Sequence, residues 1–342
     1  MRESNIRGDR KKEHIEHYLG STYKNDTLFE DVYVEHNSLA ELDLDDIDTS
    51  VDFLGRTIRY PIMINAMTGG TEFSREINRE LSKIAGKYDI PMAVGSQTIA
   101  LANEDSHSSF EIVREIMGDD GIVLSNLNGH ATVKEVQYAM DIIEADGVQI
   151  HLNPAQELAM KEGDRQFKGI LSNIGDIADG IEKPVIVKEV GFGISPDVAR
   201  RLYDVGIRHI DISGKGGTNF IEIEDRRYGG SGFSDIYSWG IPTALSLIEC
   251  RGIGKHLKLI SSGGIRTSLD ILKSLILGAD MVGIGGMILR KLMEDGPEAT
   301  DAYLGNLIYK LKMLMVLTGS RNIGELREVP YRLKGDLRDL VR

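Results

Sequence analysis

The chain has one cysteine, one tryptophan and eight prolines among its 342 residues. It also lacks any apolar run near the roughly 18 residues that a membrane-spanning helix needs. The single cysteine, Cys250, excludes an internal disulfide and any zinc or iron–sulfur site built on several cysteines. The first residues alternate in charge and contain no apolar core of the kind found in signal peptides. We therefore expect a soluble, cytoplasmic protein.

Positive charge is also scarce, since 40 Lys and Arg stand against 53 Asp and Glu, a formal net charge of −13. Proteins that bind nucleic acid rely on Lys and Arg to neutralise phosphates, so this balance argues against a nucleic-acid partner. An anionic small molecule would have to be held by local cations and by backbone N–H groups.

Short apolar runs rich in Val and Ile recur from residue 61 onward, and most are followed by a stretch with helical periodicity. This alternation is typical of a parallel α/β fold. The predicted strands are Pro61–Ala66, Pro91–Gly95, Gly121–Ser125, Gly147–Leu152, Pro184–Glu189, Ile207–Ser213, Leu257–Ser262 and Met281–Gly285. The predicted helices are Glu72–Tyr88, Ser106–Met117, Thr132–Ala145, Ser195–Val205, Pro242–Ile253 and Ser268–Leu277, with caps at Thr71, Ser106, Thr132, Ser195 and Thr267. The pattern predicts a single-domain (β/α)8 TIM barrel over 61–325; a doubly wound open sheet is the alternative.

Two regions lie outside this repeat. Residues 1–60 form an N-terminal extension with a charged helix, Asp9–Leu19, and with Val51–Phe53 and Thr57–Arg59 as a possible hairpin at the closed bottom of the barrel. The other is Gly214–Gly240, a long glycine-rich loop after the sixth strand. Loops of this length are usually lids or disordered segments.

Small or polar residues follow each predicted strand at its C-terminal end. They are Met67 to Gly70, Ser96 and Gln97, Asn126, His151 to Asn153, Lys188 and Glu189, Ser213 to Thr218, Ser262 to Gly264, and Gly285 and Gly286. In a barrel these ends form one rim, where such enzymes place their active sites, whereas an open sheet would scatter them along an edge. Their concentration favours the closed barrel.

Two features of this rim point to a bound cofactor. Gly263-Gly264 and Gly285-Gly286 follow the seventh and eighth strands, where paired glycines expose backbone N–H groups to a phosphate; the alternative is a pair of tight turns. Lys188 ends an apolar run and would be costly to bury without an anionic partner. That partner is a reduced flavin or a carboxylate such as Asp211, and a Schiff-base lysine is a third possibility.

Several motifs together resemble the type 2 isopentenyl diphosphate isomerases, from residue 10 to about residue 325. They are Arg10 to His14, Asn65 to Gly70, Gln149 to Glu157, Val187 to Gly193, Asp211 to Thr218, and Ser262 to Arg266. The stretch around Gln149–Glu157 is the most specific, because many FMN barrels share the glycine-rich pieces.

The resemblance implies an enzyme that interconverts isopentenyl and dimethylallyl diphosphate with no net redox change. It implies FMN that is first reduced, by NADPH or another reductant, and then acts as the acid and base, with Mg²⁺ on the diphosphate. It also implies a homo-oligomer, a tetramer or larger.

The resemblance also assigns roles to residues of this chain. Arg10, Lys11, Ser96 and Gln156 would bind the substrate, Gln156 would lie nearest the reacting carbons with His151 and Asn153 beside it, and Glu157 would bind the metal. The FMN site would comprise Ala66, Met67, Thr68, Gly69, Ser96, Asn126, Lys188, Ser213, Thr218, Gly264, Ile265, Arg266, Gly285 and Gly286. One departure is Thr98, where the family often has an arginine.

The main rival is an FMN-dependent oxidase of the 2-hydroxy-acid oxidase type. Such enzymes carry a catalytic histidine after the sixth strand, and Lys215 stands in that place here. An enzyme like the inosinate dehydrogenases needs a loop cysteine, but Cys250 falls in a predicted apolar helix. A Schiff-base aldolase would need no flavin, and a barrel that only stores flavin would not turn over the diphosphate.

Overall fold

The computed structural model describes residues 2–21, 23, 26–230, 232–254 and 256–341, and the side chains of these residues from Lys11 onward. Its strands are β1 Val32–Val34, β2 Val51–Phe53, β3 Arg56–Ile58, β4 Ile62–Ile64, β5 Met92–Ala93, β6 Val123–Asn128, β7 Gly147–Leu152, β8 Val185–Glu189, β9 His209–Asp211, β10 Lys258–Ser261, β11 Met281–Ile284 and β12 Tyr331–Leu333. Its helices are α1 Arg2–Gly20, α2 Glu72–Tyr88, α3 Ser108–Met117, α4 Val133–Ile142, α5 Pro154–Ala159, α6 Ile170–Gly180, α7 Pro196–Asp204, α8 Phe220–Arg227, α9 Thr243–Cys250, α10 Ser268–Ile276, α11 Gly286–Asp295, α12 Pro297–Thr318, α13 Ile323–Arg327 and α14 Gly335–Leu340.

Strands β4 to β11 form a closed parallel barrel in chain order, and β11 pairs with β4 to complete the ring. The predicted eight-stranded barrel is therefore confirmed, and the open sheet is wrong. Closure brings the C-terminal ends of all eight strands to one rim.

Polar caps set where several of the helices begin. Thr71, Thr132, Ser195 and Thr267 each accept a backbone N–H three residues later, as predicted. The cap predicted at Ser106 is wrong, because that hydroxyl donates to the carbonyl of Asn103 inside a short 3₁₀ turn and the helix begins at Ser108.

The two ends of the barrel interior differ in chemistry. At the N-terminal end, β2 and β3 pair as an antiparallel hairpin, and its Phe53 and Ile58 pack against inward-facing apolar side chains such as Met63 and Met281. This cluster closes the bottom with a dry apolar core. The polar residues lie at the opposite end.

The segment 214–240, which we expected to be a lid or a disordered loop, has secondary structure of its own. It contains the helix α8, whose Asn219 side chain caps the backbone N–H groups of Ile221 and Glu222, and a 3₁₀ turn at Ser234–Ile236. Helix α8 packs against α1 and α5 above the barrel rim. In the described part of the chain, no helix is long and apolar enough to cross a membrane.

Candidate active site

The rim encloses a cavity of about 990 Å³. Predicted site residues that line it are Lys11, Ala66, Met67, Thr68, Ser96, Asn126, His151, Asn153, Gln156, Glu157, Lys188, Ser213, Thr218, Gly264, Ile265, Arg266, Gly285 and Gly286. Gly69 does not line it: a Cβ there would collide with the Phe110 ring. The side chain of Arg10 lies outside the described residues, so its predicted role stays a prediction. The barrel thus brings residues from all eight strand ends to one space.

Backbone forms one side of this cavity. Gly264 has φ +82°, and a Cβ there would lie 2.4 Å from the carbonyl oxygen of Gly216. Helix α11 begins at Gly286 directly behind β11, and no side chain caps its N-terminus. Because the first N–H groups of a helix have no partner within the helix, this end favours an anion such as a phosphate. We call the backbone surface formed by Gly263-Gly264 and Gly285-Gly286 the phosphate cup.

Lys188 lines the same cavity, with only 6% of its surface exposed. Its ammonium donates to the carbonyl of Glu189 at 2.7 Å. Burial lowers the pKa of Lys188, against the charges of Asp211 and Glu189. The alternative of a direct ion pair with Asp211 is not supported, because within the described chain that carboxylate accepts from Asn65 at 2.6 Å and from Ser262 at 2.5 Å.

A network of buried amides connects three residues of the cavity lining, Asn65, Asn126 and His151. Gln149 donates to Asn65 at 3.0 Å, Asn126 donates to Gln149 at 3.0 Å, and His151 Nδ1 lies 2.9 Å from Asn126 Oδ1. With that oxygen as the acceptor, Nδ1 carries the proton of a neutral ring. Burial, then the charges of Lys188 and Lys11, lowers the pKa of His151 to about 3. His151 is therefore neutral at physiological pH.

The start of α5 presents amide and carboxylate groups to the other side of the cavity. Asn153 donates to Glu157 Oε1 at 2.9 Å and to Gln156 Oε1 at 3.3 Å. Gln156 in turn donates to Glu224 Oε1 at 3.2 Å. The Gln156 amide is thus held at both ends, which fixes its orientation.

Glu224 was not among the predicted site residues, although it is fully buried on α8. Its carboxylate lies 2.8 Å from His14 Nε2 of α1 and 2.6 Å from Arg227 Nη1. Burial raises its pKa, but the close contact with His14, followed by the hydrogen bond from Arg227, outweighs burial and lowers it. The available signal was Asn219, a helix-capping residue type directly before Phe220–Arg227, but it lay in a segment interpreted as a lid or a disordered loop.

Helix α1 covers the cavity from above. The Lys11 ammonium donates to the backbone carbonyl of Gly69 and, at 3.1 Å, to that of Ser96. Ile15 and Tyr18 of the same helix also line the cavity. The N-terminal helix is therefore part of the cavity wall.

The described protein atoms near Glu157 supply only part of the ligand set that a metal ion needs. Glu157 Oε2 accepts the backbone N–H of Asp164 at 2.9 Å. Among the described residues, no group of three or more His, Cys, Asp or Glu is placed to hold a metal. A cation bound at Glu157 would need oxygen ligands from a substrate or from water, which is how Mg²⁺ is often held.

Comparisons with known proteins agree with this geometry. The sequence pattern of the FMN-dependent dehydrogenase family matches residues 120–331. Isopentenyl-diphosphate delta-isomerase of Bacillus licheniformis is 46% identical over 96% of this chain and 94% of that protein. The enzyme of the same name from Moorella thermoacetica is 40% identical over 97% of this chain and 95% of that protein. The chain belongs to the type 2 isopentenyl-diphosphate delta-isomerase family.

Solved structures similar to this isomerase-family chain show the same barrel. A mandelate oxidase bound to (S)-mandelic acid aligns with a TM-score of 0.68 at 18% identity, over 96% of this chain and 98% of that chain. A lactate oxidase of Pediococcus acidilactici aligns with a TM-score of 0.69 at 16% identity, over 96% and 94%. At such identities the likeness concerns the fold alone. Lys215, where an oxidase would carry its histidine, donates to the Ser238 carbonyl at 3.1 Å and is not in the cavity lining.

Proposed function

We propose that this chain interconverts isopentenyl and dimethylallyl diphosphate with reduced FMN as the acid and base. The observation that carries the proposal is a single cavity that joins a phosphate cup and a buried lysine to a cluster of amides and carboxylates under α1. The only histidine among the predicted catalytic residues, His151, has a pKa lowered to about 3, so it is poorly suited to protonate an alkene near neutral pH.

The residues of the cup fit FMN. A side chain at Gly264 or Gly286 would fill the cup. A Cβ at Gly264 would lie 2.4 Å from the Gly216 carbonyl oxygen, and a Cβ at Gly286 would lie 2.6 Å from the Tyr18 hydroxyl oxygen. The phosphate is assigned to Gly264, Ile265, Arg266, Gly285 and Gly286, with Ser213 and Thr218 beside them. The ring is assigned to Ala66, Met67, Thr68, Ser96, Asn126 and Lys188, whereas Gly69, which does not line the cavity, is left out of this assignment. Bound reduced FMN supplies an electron-rich ring that exchanges protons with the allylic carbons.

Lys188 favours that electron-rich state, because a buried ammonium stabilises nearby negative charge far more strongly than an exposed one. Gln156 is assigned to the reacting carbons, with its amide oriented by Asn153 and Glu224. Glu224 is thus a positioning residue.

The diphosphate is assigned to the opposite end of the cavity. Arg10 and Lys11 would supply its cations and Glu157 its Mg²⁺. His151, in its neutral form, would line this end without adding charge. The segment 1–60 acts in this proposal as a substrate-capping extension to the barrel of 61–325. NADPH as the reductant and a homo-oligomeric assembly complete the proposal.

The test is an anaerobic assay of the purified protein with isopentenyl diphosphate, Mg²⁺ and FMN. We expect turnover with chemically reduced FMN, exchange of substrate hydrogens with deuterated water by NMR, and no net oxidation of the flavin. Full turnover with oxidised FMN and no reductant would refute the flavin role. Reduction of oxidised FMN by 2-hydroxy acids under the same anaerobic conditions, without isomerisation, would favour the oxidase instead.

A further inference from the structure

The C-terminal end of α1 lies against the phosphate cup. Tyr18 lines the cavity, and a Cβ on Gly286 would lie only 2.6 Å from the Tyr18 hydroxyl oxygen. This hydroxyl therefore sits beside the first residue of α11. None of the roles predicted from the sequence includes Tyr18.

Arg290 of α11 fixes the backbone that carries this tyrosine. Its guanidinium donates to the carbonyls of Tyr18 at 2.9 Å and Leu19 at 3.0 Å. These are among the last carbonyls of α1, which have no partner within the helix. The guanidinium also lies 5.0 Å from the centre of the Tyr18 ring. It donates a further hydrogen bond to Glu294 Oε1 at 2.7 Å. The ring is thus confined to the entrance of the cup.

The surroundings of the hydroxyl suit an anion. Arg266, which follows the Gly263-Gly264 pair, donates to the Gly216 carbonyl at 2.7 Å and lies close enough for its charge to act on Tyr18. Burial raises the pKa of Tyr18, against the hydrogen bond and charge of Arg290 and the charge of Arg266. The phenol is therefore protonated at neutral pH and can donate a hydrogen bond.

We propose that Tyr18 donates a hydrogen bond to the phosphate of FMN and so makes the capping helix part of the flavin site. The inference rests on FMN binding with its phosphate in the cup, and it does not depend on the isomerase reaction. Coupling between two binding events is reciprocal. FMN should therefore tighten the docking of α1, and a docked α1 should tighten the binding of FMN.

The test compares Tyr18→Phe with the full-length wild-type apoprotein, using FMN and riboflavin, which lacks the phosphate. A hydrogen bond to a charged group typically contributes on the order of tenfold or more in affinity. We expect the dissociation constant of FMN, measured by quenching of flavin fluorescence, to rise about tenfold, and that of riboflavin to stay unchanged.

Tyr23→Phe is the matched control, since Tyr23 lines the same cavity but packs edge-on against the Tyr237 ring. It should bind both flavins as the wild type does. Equal losses for FMN and riboflavin in Tyr18→Phe would reduce Tyr18 to a packing role and overturn the proposal. Unchanged or tighter FMN binding would overturn it as well. Failure of the wild type to bind any flavin would instead refute the flavin site itself.

Hydrogen exchange of the α1 backbone supplies a second readout. FMN should slow exchange in α1 of the wild type, whereas riboflavin should slow it much less. In Tyr18→Phe this difference between the two ligands should largely disappear. Equal protection by both ligands in the wild type would contradict the coupling.

Discussion

The side of the cavity that we assign to flavin and the side that we assign to substrate, called the flavin side and the substrate side below, are built by different means. The flavin side uses backbone at two adjacent strand ends, Gly263-Gly264 and Gly285-Gly286, together with the buried cation Lys188. The substrate side uses side chains from α1, α5 and α8, which are far apart in sequence. Barrel closure forms most of the first side, to which α1 adds Tyr18, whereas the second side requires α1 and α8 to dock above the rim.

The two sides also differ in how their cations are bound. On the substrate side Arg227 contacts Glu13 at 3.0 Å, Glu162 at 3.0 Å and Glu224 at 2.6 Å, and so ties α1, α8 and the segment after α5 together. On the flavin side Lys188 binds a backbone carbonyl. Substitutions on the two sides should therefore differ in their main effect, which is on flavin binding in one case and on substrate binding in the other.

The largest effect is expected from Lys188→Ala. Loss of a buried cation leaves the anionic reduced flavin without a compensating charge, and removing one partner of a buried charge pair costs about 3–5 kcal/mol. We expect reduced FMN to bind at least a hundredfold more weakly, with a smaller loss for oxidised FMN, measured by anaerobic titration. Lys215→Ala, on the next strand end, is the control. Equal affinities in wild type and Lys188→Ala would return Lys188 to a structural role.

A smaller effect, confined to the substrate side, is expected from Arg10→Ala and Lys11→Ala. Each charge-assisted hydrogen bond to phosphate contributes about 1.5–3 kcal/mol, so KM should rise roughly tenfold or more. The Lys11 change also removes its bonds to the Gly69 and Ser96 carbonyls, which hold α1 on the rim.

Lys12→Ala is the matched control, because Lys12 is exposed and pairs only weakly with Glu16 at 3.9 Å. With FMN at saturating concentration, the flavin content, read from absorbance, should be the same in all three variants. Wild-type KM values in Arg10→Ala and Lys11→Ala would show that this helix does not contact the diphosphate.

Glu157→Gln should have a more moderate effect, visible mainly in the metal titration. The change removes a hard anionic ligand but keeps the shape of the side chain, so we expect the Mg²⁺ concentration for half-maximal activity to rise severalfold. FMN should remain bound. Glu162→Gln is the control, since Glu162 lines the same cavity but contacts Arg227 and Tyr228. A titration curve like that of the wild type would remove Glu157 from the metal site.

The flavin side was largely predictable from sequence, because its parts are local. A strand followed by paired glycines places backbone at the rim wherever the barrel closes, and polar caps such as Thr71 mark where helices begin. The substrate side was less predictable. Glu224 and His14 are separated by more than half the chain, and no local pattern indicates that they meet.

The same reasoning explains the missed helix α8. Gly214 to Gly217 and Gly229-Gly230 flank it, and this glycine content hid a segment of eight residues with a clear Asn219 cap. The pairing of β1 with β12 joins residues near opposite ends of the chain. Such contacts depend on tertiary packing, and the hydrophobic periodicity of the sequence does not predict them.

His151 lies where the two sides meet, and it supplies the smallest predicted effect. Lys188 from the flavin side and Lys11 from the substrate side both add to burial in lowering its pKa to about 3, from an ordinary value of 6.5. Between these values the unfolded chain binds a proton that the folded protein does not, so the free energy of unfolding should fall as pH falls below 6.5. Glu189 has the opposite effect on stability, because its pKa is raised from 4.5 to about 7. Its contribution to the free energy of unfolding therefore declines as pH rises from 4.5 to 7.

The His151 contribution is therefore best measured as a difference between proteins. Urea unfolding of the apoprotein at pH 6 and pH 5 should show the wild type losing about 1 kcal/mol more than His151→Asn, since one proton amounts to about 1.4 kcal/mol per pH unit. His130→Asn, an exposed histidine on the neighbouring strand end, should behave like the wild type. Lys11→Ala should reduce the difference only partly, because burial and Lys188 still act on the ring. Identical pH dependence in wild type and His151→Asn would mean that His151 titrates normally and that the charges of the two sides do not meet there.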